Sequence, residues 1–253
     1  MIRFLVAVFF SAALHAAEPV LTLREKPVRV ATASSAEIFP ESWRGGKVAA
    51  GAEALPEGRR EEALRVIDVA LAKYPTEVLK EHLHTLYLLG ELRYRGVVTS
   101  GTNSRTGVYV KIGPVEKGFT ARHNEGVFHA EFSSILIRNR SQFMDHEAWK
   151  AANPTGFSYL GDGVDAVKQG KARTKADSTL NAQGFLSQYS QSTLENDFNG
   201  YAARLWTGDA ALWQLAKEHP PIQRKLKLVL RFYQQLHAQM DETFFRGLQL
   251  KPD

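Results

Sequence analysis

The sequence contains no cysteine. Disulfides, thiolate zinc sites, iron–sulfur clusters, cysteine nucleophiles and lipid anchoring through cysteine are therefore excluded. It also lacks an apolar run of the roughly 20 residues a membrane span requires. The uncharged stretch Phe4 to Leu14 is too short, and no later segment is more apolar. A basic cluster is missing as well. The formal charge is +5, but the 32 Lys and Arg are scattered along the chain, which favours solubility and weak attraction to anionic surfaces over a nucleic-acid groove. No Gly-x-Ser-x-Gly nucleophile elbow occurs. Gly101-Thr-Asn-Ser-Arg105 lacks the Gly-Lys-Ser/Thr ending of a phosphate loop and is followed by no helical pattern.

What is present describes a globular protein. Hydrophobic residues make up 44% and charged residues 23% of 253, enough to build a core in one large domain, or one domain with an appendage. Arg3, the apolar run and the small residues Ala16 and Ala17 predict a signal peptide over 1–17. The protein is thus expected to be exported, to a bacterial periplasm or beyond, with no stable membrane span after cleavage. Export without cysteine fits an envelope protein stabilised by its core alone. Residues 18–57 read as an extended leader with one strand at Val28–Ala31, and 58–253 as the main domain.

Within that domain the apolar spacing alternates between two periods. Leu64, Ile67 and Leu71 predict a helix from Arg59 to Lys73, ended by Pro75. Leu86 to Tyr94 predicts a strand, Gly101 to Thr106 a turn, and Thr106 to Ile112 an edge strand with Val108, Val110 and Ile112 on one face. Phe128, Phe132, Ile135 and Leu136 make the stripe of a helix from Arg122 to Arg138. Asn139 to Gln191 shows no clear element. Ser192-x-x-Glu195 reads as a capping box opening a helix. Asp209 caps a short helix to about Lys217, and Pro221 starts a long last helix to Met240. The fold class expected is α+β, a small mixed sheet packed by helices with a helical C-terminal half.

The chemistry concentrates at Phe128-His-Ala-Glu131-Phe-Ser-Ser134. Glu131 lies on the apolar stripe, so its carboxylate must be paired or must shift its pKa. A zinc hydrolase helix carries H-E-x-x-H, with two imidazoles on one face and the Glu as general base. Here Glu131 stands at the base, but Ala130 and Ser134 stand at the ligand positions.

With the element order, Glu131, and Gly184-Phe-Leu-Ser-Gln-Tyr189 followed by Asn196-Asp-Phe-Asn-Gly-Tyr201, the chain resembles the bacterial zinc-binding metallopeptidases. These are zincins of the gluzincin type, related to the catalytic domain of anthrax lethal factor. The resemblance covers roughly 59–239. It implies a zincin-like domain, with Glu131 as general base and Tyr189 as the tyrosine assisting the tetrahedral intermediate. It also implies an eroded metal site, because Ala130, Ser134 and Asn196 occupy the three ligand positions. His129, Glu195 and Asp197 are the nearest alternative ligands, with Asp145, His146, Glu147, Asp162 and Asp165 further off. Bland readings stand beside these: Glu131 paired structurally with an Arg, Glu195 as a capping residue, Tyr189 as a packing aromatic.

Three functions follow as expectations. The first is an exported, catalytically impaired metallopeptidase homologue, with zinc weak or absent, that binds an extended peptide or envelope protein along the Thr106–Ile112 edge. The second is an active zinc peptidase with non-standard ligands. The third is a structural envelope protein without a site.

Overall fold

The computed structural model describes residues 20–22, 27–32 and 34–249. The expected signal peptide lies outside them. The fold is α+β: a mixed sheet, then a C-terminal half that is almost wholly helical.

The sheet is built around one long strand, β4. In chain order the strands are β1 (Val20–Thr22), β2 (Arg29–Ala31), β3 (Gly51–Ala54), β4 (Thr85–Tyr94), β5 (Val97–Val98), β6 (Gly101–Asn103) and β7 (Gly107–Lys111). The main order is β1-β2-β4-β7-β6, with β3 and β5 pairing β4 along its second half. β4 is parallel to β2 and β7 and antiparallel to β3 and β5, and β6 runs antiparallel to β7. The strand expected at Val28–Ala31 is therefore part of this sheet.

The Thr106–Ile112 strand, expected at the edge, is interior. β7 is paired on both sides, and the edge is β6. The turn signals of Gly101 and Asn103 concealed that short strand, since three residues are too few to show a period of two.

Helices cover one face. Those ahead of the site are α1 (Glu57–Ala72), α2 (Thr76–His82) and α3 (Ala121–Asn139). Leu86, Leu88, Val108 and Val110 pack with α1 and α3 in the main core. The other face carries a smaller cluster in which Leu89, Leu92 and Tyr109 meet Ile38 and Phe39. Leu89 and Leu92 share that face because the pairing with β3 skips Gly90, and a bulge reverses the alternation. A side chain at Gly90 would lie 2.7 Å from the Ala54 carbonyl oxygen.

The segment from Asn139 to Gln191, unreadable in sequence, holds α4 (His146–Ala151), α5 (Gly163–Lys168) and α6 (Ser178–Asn181). None exceeds six residues, too short for an apolar stripe to repeat. α7 (Leu194–Trp206), α8 (Ala210–Glu218), α9 (Pro220–Leu236) and α10 (Glu242–Gly247) follow. The cap of α7 is Thr193, whose hydroxyl accepts from Asn196 N at 2.9 Å. The expected Ser192-x-x-Glu195 box is thus displaced by one residue: the Ser192 hydroxyl donates instead to Tyr189 O at 2.6 Å. Met240, expected within the last helix, falls after it. Among the described residues no helix is long and apolar enough to cross a membrane.

Candidate functional site

α3 lies beneath the β6 edge and packs along α7. Thr120 starts it by accepting from His123 N at 3.2 Å, and Phe128, Phe132, Ile135 and Leu136 bury its core face. Glu131 then points sideways, under the edge strand. Its Oε2 accepts from Asn103 Nδ2 at 2.5 Å. Gly101 roofs it so closely that an added Cβ would lie 2.8 Å from both Glu131 Cγ and Oε1, and 2.7 Å from Val127 Cγ1. Arg138, two turns further along α3, donates to the Asn103 side-chain carbonyl and to Ser104 O, and faces Glu195 of α7 at 3.8 Å. Burial pushes the Glu131 carboxyl up to about 7, assisted by the Glu195 charge and opposed by the Asn103 hydrogen bond and by Arg138.

The other wall is polar too. Tyr189 is raised to about 12 by burial, and the Glu131 charge adds to this. Asn196 Nδ2 donates to Ser192 Oγ at 2.9 Å. Gly163 is pressed against both: a Cβ there would be 2.7 Å from Tyr189 Oη and 2.6 Å from Asn196 Nδ2. Glu131, Glu195, Tyr189 and Asn196 are therefore brought into one electrostatic neighbourhood. Sequence reasoning missed Asn103, Arg138 and Asn199. Arg138 was detectable, since i+7 shares a helix face with i.

The positions that the resemblance matches to ligands are engaged elsewhere. Ala130 has no donor atom. Ser134 is buried and sits 2.7 Å from the amide of Asn199 on α7. With the amide oriented to satisfy all its partners, the Ser134 hydroxyl donates to its oxygen. Its nitrogen donates to the carbonyls of Ala130, at 3.1 Å, and Glu195, at 3.3 Å. The space beside residues 130 and 134 is thus filled by a helix–helix hydrogen-bond network.

The alternative ligands do not converge either. His129 is fully buried on the opposite side of α3. Its Nδ1 meets Tyr74 Oη at 2.9 Å, its Nε2 meets Glu125 at 3.3 Å, and its ring stacks on Trp206; burial lowers it to about 4. Asp197 points away from Glu131 into the C-terminal core, where it binds Lys225 at 2.6 Å. Asp145 and Asp162 cap α4 and α5, and Glu147 pairs with Lys150. Among the described residues no group of three His, Asp or Glu is placed to hold a metal ion. The groups at the three positions that the resemblance matches to ligands, a methyl, an engaged hydroxyl and an engaged amide, do not fit zinc.

No family model matches this sequence, and no curated protein matches it. Among solved structures, a candidate zinc-binding metallo-peptidase from Bacteroides caccae is similar, with a TM-score of 0.47 and 17% identity over 74% of this chain and 75% of that one.

Two cavities of about 310 and 440 Å³ lie elsewhere, one lined by Leu160, Lys171 and Gln188, the other by Arg59, Ile112 and Phe119. Neither is lined by Glu131, which is half-buried with Gly101 of β6 packed against its carboxylate. That packing is testable. Gly101→Ala should cost about 1–3 kcal/mol through overpacking, read by urea denaturation. A neutral substitution would mean that Glu131 is not held beneath the strand.

Proposed function

We propose that this protein is an exported, zincin-like relative of metallopeptidases that has lost metal-dependent catalysis and keeps a cleft for an extended peptide. The observation that carries the reading is the fate of the metal positions. Glu131 remains where a general base would stand, with a carboxyl near neutrality, while Ser134 and the backbone of Ala130 are tied to Asn199. Without metal there is no bound water of lowered pKa for Glu131 to deprotonate. The peptide edge is β6. Its pairing places Thr102 toward Tyr109, so the main-chain groups of Gly101 and Asn103 face outward. Thr99 Oγ1 already covers Gly101, which leaves Asn103 as the point of attachment for an added strand.

Two measurements test this. Elemental analysis of the purified protein should find far less zinc than protein, and no chelator-sensitive cleavage of peptides. One tightly held zinc per chain with such cleavage would overturn the reading. Extended peptides should bind, and backbone N-methylation of the same peptides should abolish binding, because a methylated amide cannot pair with an edge strand. Restoring the metal should need four changes: Ala130→His, Ser134→His and Asn196→Glu for ligands, and Asn199→Ala to clear the space an imidazole at 134 requires. The three ligand changes alone should leave zinc content low.

A further inference from the structure

The larger cavity lies away from Glu131 and is built from different elements. Its volume of about 440 Å³ falls in the range of roughly 300–1,000 Å³ that small ligands occupy. One face of α1 lines it: Arg59, Glu62, Ala63 and Val66 follow the spacing i, i+3, i+4, i+7. The loop leaving β7, from Ile112 to Phe119, makes a second wall, and Asn124 of α3 a third. Two contacts fix the loop. Arg59 Nη1 donates to Ile112 O at 2.7 Å, and Gly113 lies so close to Phe119 that a Cβ there would be 2.3 Å from its ring.

Two polar groups of this cavity are left over. Asn124 is 5% exposed. Its Nδ2 donates to Phe119 O at 3.4 Å, but its Oδ1 is buried and, among the described residues, accepts from nothing. A buried acceptor without a donor is costly, and natural folds leave few of them unmet. Arg59 is the second. It is half-buried, and its recorded hydrogen bond is the one to Ile112 O. Among the described residues no carboxylate pairs with it. A guanidinium has five N–H groups in a planar fork that matches a carboxylate. The cavity thus offers one cationic fork and one orphan acceptor, with Ala63, Val66, Ile112 and Phe119 as apolar wall. A phosphate would set a second acceptor against Asn124 Oδ1. An amine alone would leave Arg59 unmet, and a hydrocarbon would leave both. The ligand that answers all three features carries a carboxylate, an N–H and an apolar body.

We propose that this cavity binds an apolar amino acid, free or as the last residue of a peptide, by its α-carboxylate and α-nitrogen. The carboxylate accepts from the N–H groups of Arg59 that Ile112 does not use. The α-nitrogen donates to Asn124 Oδ1. The side chain packs against Val66, Ile112 and Phe119. Glu62 and Glu116, both exposed and both lining the cavity, repel a ligand with a second negative charge. No covalent bond changes. The site shares no residue with the cleft at Glu131 and stands whether or not that cleft binds peptides.

Isothermal titration calorimetry of the full chain tests this with leucine, N-acetyl-leucine and N-acetyl-leucinamide. Leucine or N-acetyl-leucine should bind: the first alone identifies a free amino acid, the second alone a peptide end, and both together a site that accepts either. N-acetyl-leucinamide has no carboxylate and should bind at least about tenfold more weakly than N-acetyl-leucine, the loss expected when a charged hydrogen bond is removed. Arg59→Gln should erase the preference for the carboxylate. Because Arg59 also holds Ile112, Asn124→Leu is the second variant. It replaces the orphan amide by an apolar group of similar size, so the chain should stay folded by circular dichroism while affinity for the carboxylate ligands falls about tenfold. Three results would overturn the proposal: no binding of either carboxylate ligand, equal binding of the amide, or full affinity in a folded Asn124→Leu protein.

Discussion

Asp197→Ala should lower folding stability by about 3–5 kcal/mol, the cost of leaving a buried charge without its partner. The carboxylate is fully buried, and one oxygen accepts from three side chains: Lys225 Nζ at 2.6 Å, Tyr159 Oη at 2.8 Å and Trp149 Nε1 at 3.1 Å. These donors come from α9, from the chain ahead of α5, and from α4. A single carboxylate on α7 thus fastens most of the irregular middle segment to the helical half. Lys225 also donates to Gly184 O at 2.9 Å and lies 4.0 Å from the centre of the Phe185 ring. Burial acts on both partners in the direction of neutrality, raising Asp197 to about 6 and lowering Lys225. Lys225→Met should therefore cost less than Asp197→Ala, because Asp197 can take up a proton and keep Tyr159 and Trp149. The double variant should be no worse than Asp197→Ala alone. Urea denaturation of the four proteins gives the cycle, and additive losses would show that the pair is not coupled.

The parts of the fold that were readable in sequence are those whose period had room to repeat. α3 and α9 are 19 and 17 residues long; the apolar stripe fixed α3 to within a residue at each end, and fixed the start of α9 but ran past its end at Leu236 to Met240. β4 was visible as an apolar run. The three-residue strand β6 and the six-residue α5 carry no period, yet β6 roofs the site and α5 packs against its polar wall. The same limit applies to the chemistry. Glu131 was legible because a carboxylate on an apolar stripe demands a reason. That Ala130 and Ser134 offer zinc poor chemistry follows from residue type alone. The hydrogen-bond network beside them was not legible, because Asn199 lies 65 residues from Ser134 and only the packing of α7 on α3 brings them together. His129 stood in sequence only as an alternative ligand, two residues from Glu131 and so on another side of the helix. The helix turns it into the core, where Tyr74 and Glu125 meet its two ring nitrogens.

Glu131→Gln should leave stability almost unchanged at pH 4.5 and raise it by roughly 2–3 kcal/mol at pH 8. The sign follows from the direction of the shift. Burial beneath β6 raises the carboxyl from its ordinary 4.5 to about 7. Between those values the folded chain holds a proton that the unfolded chain has released. The native protein therefore loses stability as pH rises through this window, and above it the cost of ionising this half-buried carboxylate is present. Glutamine is neutral at every pH and offers an oxygen for Asn103 Nδ2, so the variant escapes the loss and keeps the hydrogen bond. Asp197 titrates in the same range and bends both curves equally, so the difference between the proteins isolates Glu131. Urea denaturation at the two pH values measures it. Equal stabilities at pH 8 would show that Glu131 ionises as freely as it does in water, and the picture of a carboxylate closed in by Gly101 and Asn103 would fail. A gain that grows with pH would identify Glu131 as a group kept at a cost to the fold. A side chain that only fills structure needs no such cost, since glutamine would serve better. On the reading proposed above, that carboxylate is the one that would serve as general base if a metal were held beside it.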